Sequence, residues 1–248
     1  MRLLLLLVLV AIALAAQAPA WLLARQVRDA SAGVVDVRNA TGTLWNGRAD
    51  LVVRPTASAP EANAGSVLWK VQRFDMSRTA WIIDIRQSPA APRPMQMIVN
   101  PGFDRIDVAG SVRLPLDVAG AVPILAGWTV TGEATADTDA LQWLDGRAAG
   151  SVIARWQGAR LVPPDLPGGF ALGDVNATIT MSPAVVIRVR NAGGDVDLQI
   201  DASSQARTIA LLAQPRATTS AAQLAWLQSH TMGRGPGGFR VDVGWPGR

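Results

Sequence analysis

The residue types that carry most enzyme chemistry are scarce in this chain. It holds one histidine, His230, and no cysteine, which removes a thiolate nucleophile, a disulfide framework and a thiolate zinc site. A multi-histidine metal site cannot be assembled from one imidazole. A Ser-His-Asp relay has a single candidate base, His230, and its position nominates no nucleophile. His230 reads instead as a partner for the last carbonyls of a helix that ends there. Carboxylates gather at Glu133, Asp137 and Asp139 in a Gly/Thr-rich stretch that reads as a turn. A glycosidase pair or a calcium site would need such groups, but the spacing is not that of a calcium loop, and solvated side chains are the simpler reading. Asp195, Asp197 and Asp201 read as the wet side of one strand. Arg48 and Arg147 each follow a glycine turn and have Asp50 and Asp145 within reach, pairs that contribute about 0–1 kcal/mol when exposed. No catalytic residue, cofactor-binding residue or metal ligand is assigned, and the chain does not read as an enzyme.

The elements that position these groups are strands. Of the 248 residues only 17% are charged; Lys70 is the one lysine, and Glu61 and Glu133 are the two glutamates, against 23 Gly and 16 Pro. Lys and Glu decorate exposed helix faces, so this composition disfavours a helical bundle and favours strands joined by turns. The sequence pI near 11 follows from arginine without tyrosine or cysteine, and implies no nucleic-acid partner. Period-2 alternation appears at Arg48–Val53, Ile106–Leu116, Asp195–Asp201 and Phe239–Val243, each with one wet and one dry face, as in half-exposed antiparallel strands. Turn chemistry separates them at Asn46-Gly47, Pro101-Gly102, Asp145-Gly146, Pro163-Pro164, Pro167-Gly168-Gly169, Asn191 to Gly194 and Gly233 to Gly238. Ser220 and Gln223 form a capping-box pattern ahead of a helix that stops before Gly233. A second short helix is expected near Leu116–Leu125, and Pro55–Gly65 reads as a loose loop.

Nine Trp and no Tyr fit indoles packed on the dry face of a curved sheet; a ligand groove lined with aromatics for sugar or lipid is the alternative. Trp45-Asn46-Gly47-Arg48, Trp143-Leu144-Asp145-Gly146-Arg147 and Trp156-Gln157-Gly158 echo one another and suggest a repeated hairpin, hence an extended or incompletely closed sheet.

The first residues set the address. Leu3 to Leu23 is apolar except for Gln17 and Pro19, about 32 Å of helix at ~1.5 Å per residue, enough to cover a hydrocarbon core of ~30 Å. Trp21 then falls where an interfacial aromatic is expected. The expected organisation is an N-terminal membrane anchor over residues 1–24, including Leu3, Leu14, Trp21 and Leu23, followed by an exported β domain over 25–248. A cleaved signal peptide ending at Ala13-Leu14-Ala15 or Ala16-Gln17-Ala18 is the other reading.

At Gly42-Thr43-Leu44-Trp45-Asn46-Gly47-Arg48-Ala49 the sequence resembles the type II secretion system protein N family. The Leu68-Trp69 strand, Gly110 to Leu116, the Trp143 to Leu161 stretch and Gly238 to Gly244 follow in the family's order. The resemblance implies a mainly β protein with a single-pass inner-membrane helix, a curved antiparallel periplasmic sheet and one or two short helices. It further implies an accessory role in exporting folded proteins, through contacts with other inner-membrane secretion components and without a cofactor. Gly42, Thr43, Leu44, Trp45, Gly47 and Arg48 form the family block and the candidate contact patch. A periplasmic carrier or bridge for lipid or another apolar ligand, held on the dry face, is the alternative function.

Overall fold

Strand length and curvature follow from where the alternation is kept and where glycines interrupt it. The computed structural model describes residues 17–31, 33–54, 61–77, 79–100, 102, 104–116, 127–144, 147–230, 234–235 and 238–244. After a helix α1 (Trp21–Ala30) come strands β1 (Val35–Gly42), β2 (Asn46–Val53), β3 (Ala62–Asp75), β4 (Ala80–Ser88), β5 (Met95–Val99) and β6 (Arg105–Leu114). The long strands β7 (Thr129–Leu144) and β8 (Arg147–Val162) follow, then β9 (Phe170–Met181), β10 (Val186–Ala192), β11 (Val196–Ser203) and β12 (Thr208–Pro215). Helix α2 (Ala221–His230), a two-residue β13 (Arg234–Gly235) and β14 (Gly238–Gly244) complete the order.

All fourteen strands form one sheet in the order β1 through β12, then β14 and β13. Each of the first twelve pairs antiparallel with its sequence neighbours, so this part is an uncrossed meander, and the sheet is open. Connections therefore alternate between two ends. We call the end with the β1–β2, β3–β4, β5–β6 and β7–β8 turns proximal, and the end with the β8–β9 and β10–β11 turns distal. Register shifts recur, for instance at Arg38/Thr41, Val108/Gly110, Asp137/Leu141 and Trp156/Ala159. Such bulges bend a strand and raise its local twist.

Following the registers from strand to strand gives one continuous dry face. The registers place Val37, Ala49, Trp69, Ile83, Met97, Val108, Val112, Ala134, Trp156, Val175, Val189, Ile200 and Leu211 on it. Helices cover it at two corners. Near β1–β4, Ala20 (1% exposed), Ala49 and Trp69 are buried with Leu23, Val37 and Ile85 against them. Near β8–β12 at the distal end, Leu227 and Leu224 of α2 pack on Val175, Val196, Ala213 and Trp156. Burying Leu227 contributes about 1.5–3 kcal/mol. Ser220 and Gln223 cap α2 as their spacing indicates: the Ser220 N–H donates to Gln223 Oε1 at 2.7 Å and the Gln223 N–H to Ser220 Oγ at 3.2 Å.

The N-terminal expectation is revised in part. Leu3 and Leu14 lie outside the described residues. Trp21, Leu22 and Leu23, expected as the end of an anchor, open α1, which also carries Arg25, Arg28 and Asp29. Ala20 is buried in one cluster with Ala49 and Trp69. No helix among the described residues is long and apolar enough to cross a membrane. Of the expected loop Pro55–Gly65, Ala62 to Gly65 belong to β3 and 55–60 lie outside the described residues, as does nearly all of the helix expected at Leu116–Leu125.

Candidate functional site

The family block is a four-residue proximal turn, and its side chains explain its composition. Gly42 pairs with Gly47 across the turn. It is Gly42 that adopts φ +90°, where a Cβ would meet the Asn46 carbonyl oxygen at 2.5 Å. Gly47 is required for a different reason: a Cβ there would lie 2.3 Å from Cζ2 of Trp69 and 2.7 Å from the Thr41 carbonyl oxygen. The indole of Trp69, 5% exposed, thus lies flat against the bare Cα of Gly47, and its Nε1–H donates to the Leu44 carbonyl at 3.1 Å. Thr43 closes the turn, its Oγ1 accepting from the Asn46 N–H at 3.2 Å. Trp45 points to the next hairpin, its ring 5.1 Å from Trp81, which in turn meets Phe74 edge-on at 4.6 Å.

The same turn holds the chain that leads in from the N-terminal apolar run. The Ala20 N–H donates to the Gly42 carbonyl at 3.2 Å, the Leu44 N–H to the Ala18 carbonyl at 2.7 Å, and Pro19 forms a bridge with Thr43. Gly42, Thr43 and Leu44 therefore act as a clasp on residues 18–20. Helix α1 is fastened further along by charge. Arg28 donates to Asp36 Oδ1 from Nε at 2.9 Å and Nη2 at 2.5 Å; Arg38 donates to Asp36 Oδ2 at 3.0 Å and, through both terminal nitrogens, to Glu61 at 2.6 and 2.8 Å; Arg54 also pairs with Glu61. The Arg28 guanidinium, aided by Arg38, holds the Asp36 carboxyl below the usual carboxylate range, and Arg38 with Arg54 does the same for Glu61. Arg48 is exposed on the opposite face from Ala49, and Asp50, its expected partner, accepts instead from Asn39 Nδ2 at 2.8 Å.

Other residues singled out from the sequence are placed differently. Glu133, Asp137 and Asp139 lie on strand β7, not in a turn, and arginines from neighbouring elements neutralise them. Arg113 pairs with Glu133 at 2.7 Å and Arg93 with Asp139 at 3.0 Å, while buried Asp137 receives Arg155 at 3.0 Å, Arg93 at 3.4 Å and the Ser111 hydroxyl. The three expected Trp-Gly hairpins reduce to two, both proximal; the third, Trp156 to Gly158, is a bulge within β8. Asp195 is not on the wet face: its Oδ2 accepts from the Ala171 N–H at 2.8 Å and from Nε2 of buried Gln223 at 2.7 Å, pinning α2. His230 Nδ1 lies 3.0 Å from the Trp226 carbonyl oxygen, the helix-end contact expected of it. Its ring also stacks on Trp226 at 4.2 Å, with Nε2 3.3 Å from Asp165 Oδ2 and Ser229 Oγ 2.9 Å from Nδ1. Ser229 Oγ donates to the Trp226 carbonyl at 2.9 Å, so its proton is engaged by backbone, and the group works as a lock between α2 and the β8–β9 loop. Asp165 lies 61 residues from Trp226, and no local signal marks it. On the wet face a cleft of about 540 Å³ is lined by Gln96, Asn100, Arg105, Asp107, Asp139 and Gln142.

The family profile described as type II secretion system, protein N matches residues 34–238, which spans β1 to the start of β14. The chain belongs to the type II secretion system protein N family. This agrees with the resemblance carried by the Trp45 block. No curated protein and no solved structure matches it. Membership makes this family member a component of type II secretion, and implies contacts with other components of that machinery.

Proposed function

We propose that the chain is an accessory inner-membrane component of the type II machine, with its sheet in the periplasm, acting through protein contacts and without catalysis of its own. The observation that carries this reading is the clasp: the family block, Gly42 to Gly47, is spent on fixing the residues that follow the apolar run to the end of the sheet. The block provides a backbone donor and acceptor to residues 18–20, a Thr43 hydroxyl that closes its own turn, and indole packing. The Arg48 side of the β1–β2 hairpin is the patch offered to partners. The test is to delete the gene, assay secretion of type II substrates, and capture the full chain with its inner-membrane neighbours. Normal secretion of every substrate together with no co-purified component would overturn the proposal.

A second reading, a carrier of lipid or another apolar ligand, is favoured by one observation. Met95, Met97, Ile106 and Val108 on the dry face are only half-buried and belong to neither of the two helix-covered clusters. Organic extraction of the purified full chain, followed by mass spectrometry, separates the two readings; a blank extract removes the carrier.

A further inference from the structure

Among the described residues, five exposed large apolar side chains gather at one end of the sheet. Trp21 (55%) and Leu22 (41%) open α1 beside the clasp; Met76 (81%) caps the β3–β4 turn; Trp143 (47%) and Leu144 (50%) end β7 at the β7–β8 turn. All five are proximal: the odd-numbered strands β3 and β7 run toward that end, and the clasp at Gly42 to Leu44 holds the start of α1 there. Among the described residues, the exposed large apolar side chains at the distal end are Val34 and Leu114, at 38% and 39%, while Leu68 and Ile153 lie within strands. The proximal tips stand on firm bases. Asp75 Oδ1 accepts from the Ser77 N–H at 3.0 Å and from its hydroxyl at 2.7 Å, which closes the turn under Met76. Next to it is the Phe74–Trp81–Trp45 ring cluster.

We infer that the proximal end is a bilayer-docking surface, with Trp21, Leu22, Met76, Trp143 and Leu144 seated in the membrane interface. This rests on the anchored reading above. The lipid surface, and not a protein, is the fitting occupant because the apolar run reaches the sheet at this same end with no polar spacer: Ala18 and Ala20 are already bonded to Leu44 and Gly42. An anchored run that enters there brings these tips to headgroup level. Trp favours that depth, where its ring is in apolar surroundings and its N–H remains wet. Leu and Met tips add apolar area removed from water.

The absence of cysteine makes the test direct. Single cysteines replace Met76, Leu144 or, at the distal end, exposed Ala217 in the full chain. Each is nitroxide-labelled and reconstituted in phosphatidylethanolamine/phosphatidylglycerol vesicles, and collision with oxygen is compared with collision with a polar nickel chelate. The inference expects labels at 76 and 144 to favour oxygen several-fold over the label at 217. Equal ratios at all three sites in chain that resists alkaline extraction overturn the docked end while leaving the anchor in place. Release of the chain by alkaline extraction overturns the anchored reading itself. Labels at 76 and 144 that stay aqueous in vesicles but become shielded when other secretion components are added assign the surface to a protein and overturn the inference.

Discussion

Replacing Gly47 with alanine tests whether the family block is built around the Trp69 indole. The new methyl would sit 2.3 Å from Cζ2 of Trp69 and 2.7 Å from the Thr41 carbonyl oxygen, so either the ring or the β1 backbone must move. Overpacking of this kind costs about 1–3 kcal/mol, and a displaced ring loses the Nε1–H bond to the Leu44 carbonyl, about 1 kcal/mol more. The expected loss is thus ~2–4 kcal/mol, or a fall in Tm of roughly 4–16 °C for a domain of this size. Urea unfolding of the purified full chain, followed by circular dichroism, measures it. The argument also fixes the coupling: in a Trp69→Leu background, where the ring is gone, Gly47→Ala should cost less than about 1 kcal/mol. A single mutant within ~0.5 kcal/mol of wild type, or equal costs in the two backgrounds, would refute the packing account.

Three further outcomes follow from the same geometry. Gln223→Ala removes the N-terminal cap of α2 and the bonds to the Gly169 carbonyl and Asp195, and should cost about 1–3 kcal/mol; hydrogen exchange over 221–230 should rise before that of β9. Asp137→Asn weakens the partner shared by Arg93 and Arg155 and should cost about 1–3 kcal/mol, read by urea unfolding, with Asp139→Asn, whose partner side is open to water, near neutral. Asp36 and Glu61 have depressed carboxyl pKa values in the folded chain, so their contribution is present above the unfolded values of ~3.9 and ~4.3 and is lost as pH falls through the folded ones. Protection of α1 and β1 against hydrogen exchange, relative to the intrinsic rate at each pH, should therefore fall below about pH 4, and Arg28→Gln should show that loss of protection already at neutral pH.

Strand identity was legible wherever a strand keeps strict alternation. Arg48–Val53 and Phe239–Val243 each fall within a strand, and of Asp195–Asp201 all but Asp195 do. Strands β7 and β8 were not legible as units, because the shifts at Thr131/Glu133, Asp137/Leu141 and Trp156/Ala159 change which parity faces the core. For that reason Glu133, Asp137 and Asp139 read as a turn, and their arginine partners, 18 to 46 residues away where hydrogen bonds define them, left no local trace. The capping box of α2 is a short-range pattern and was readable from Ser220 and Gln223. The start of α1 at Trp21 was not legible, because an apolar run and the apolar start of an amphipathic helix are indistinguishable until the first charge, Arg25. The role of Gly47 was assigned to turn conformation, whereas the ring lying on it comes from Trp69 on the next strand.

The uncrossed order of the first twelve strands also bears on how such a protein can change in evolution. Since the ladders of β1 to β11 join only strands adjacent in sequence, a hairpin can be duplicated or deleted without rethreading any other segment, widening or narrowing the sheet by about 10 Å per hairpin. With the turns of one end held at a fixed surface, hairpin number becomes a ruler for lateral span, adjustable in whole steps to the circumference of whatever assembly stands beside it.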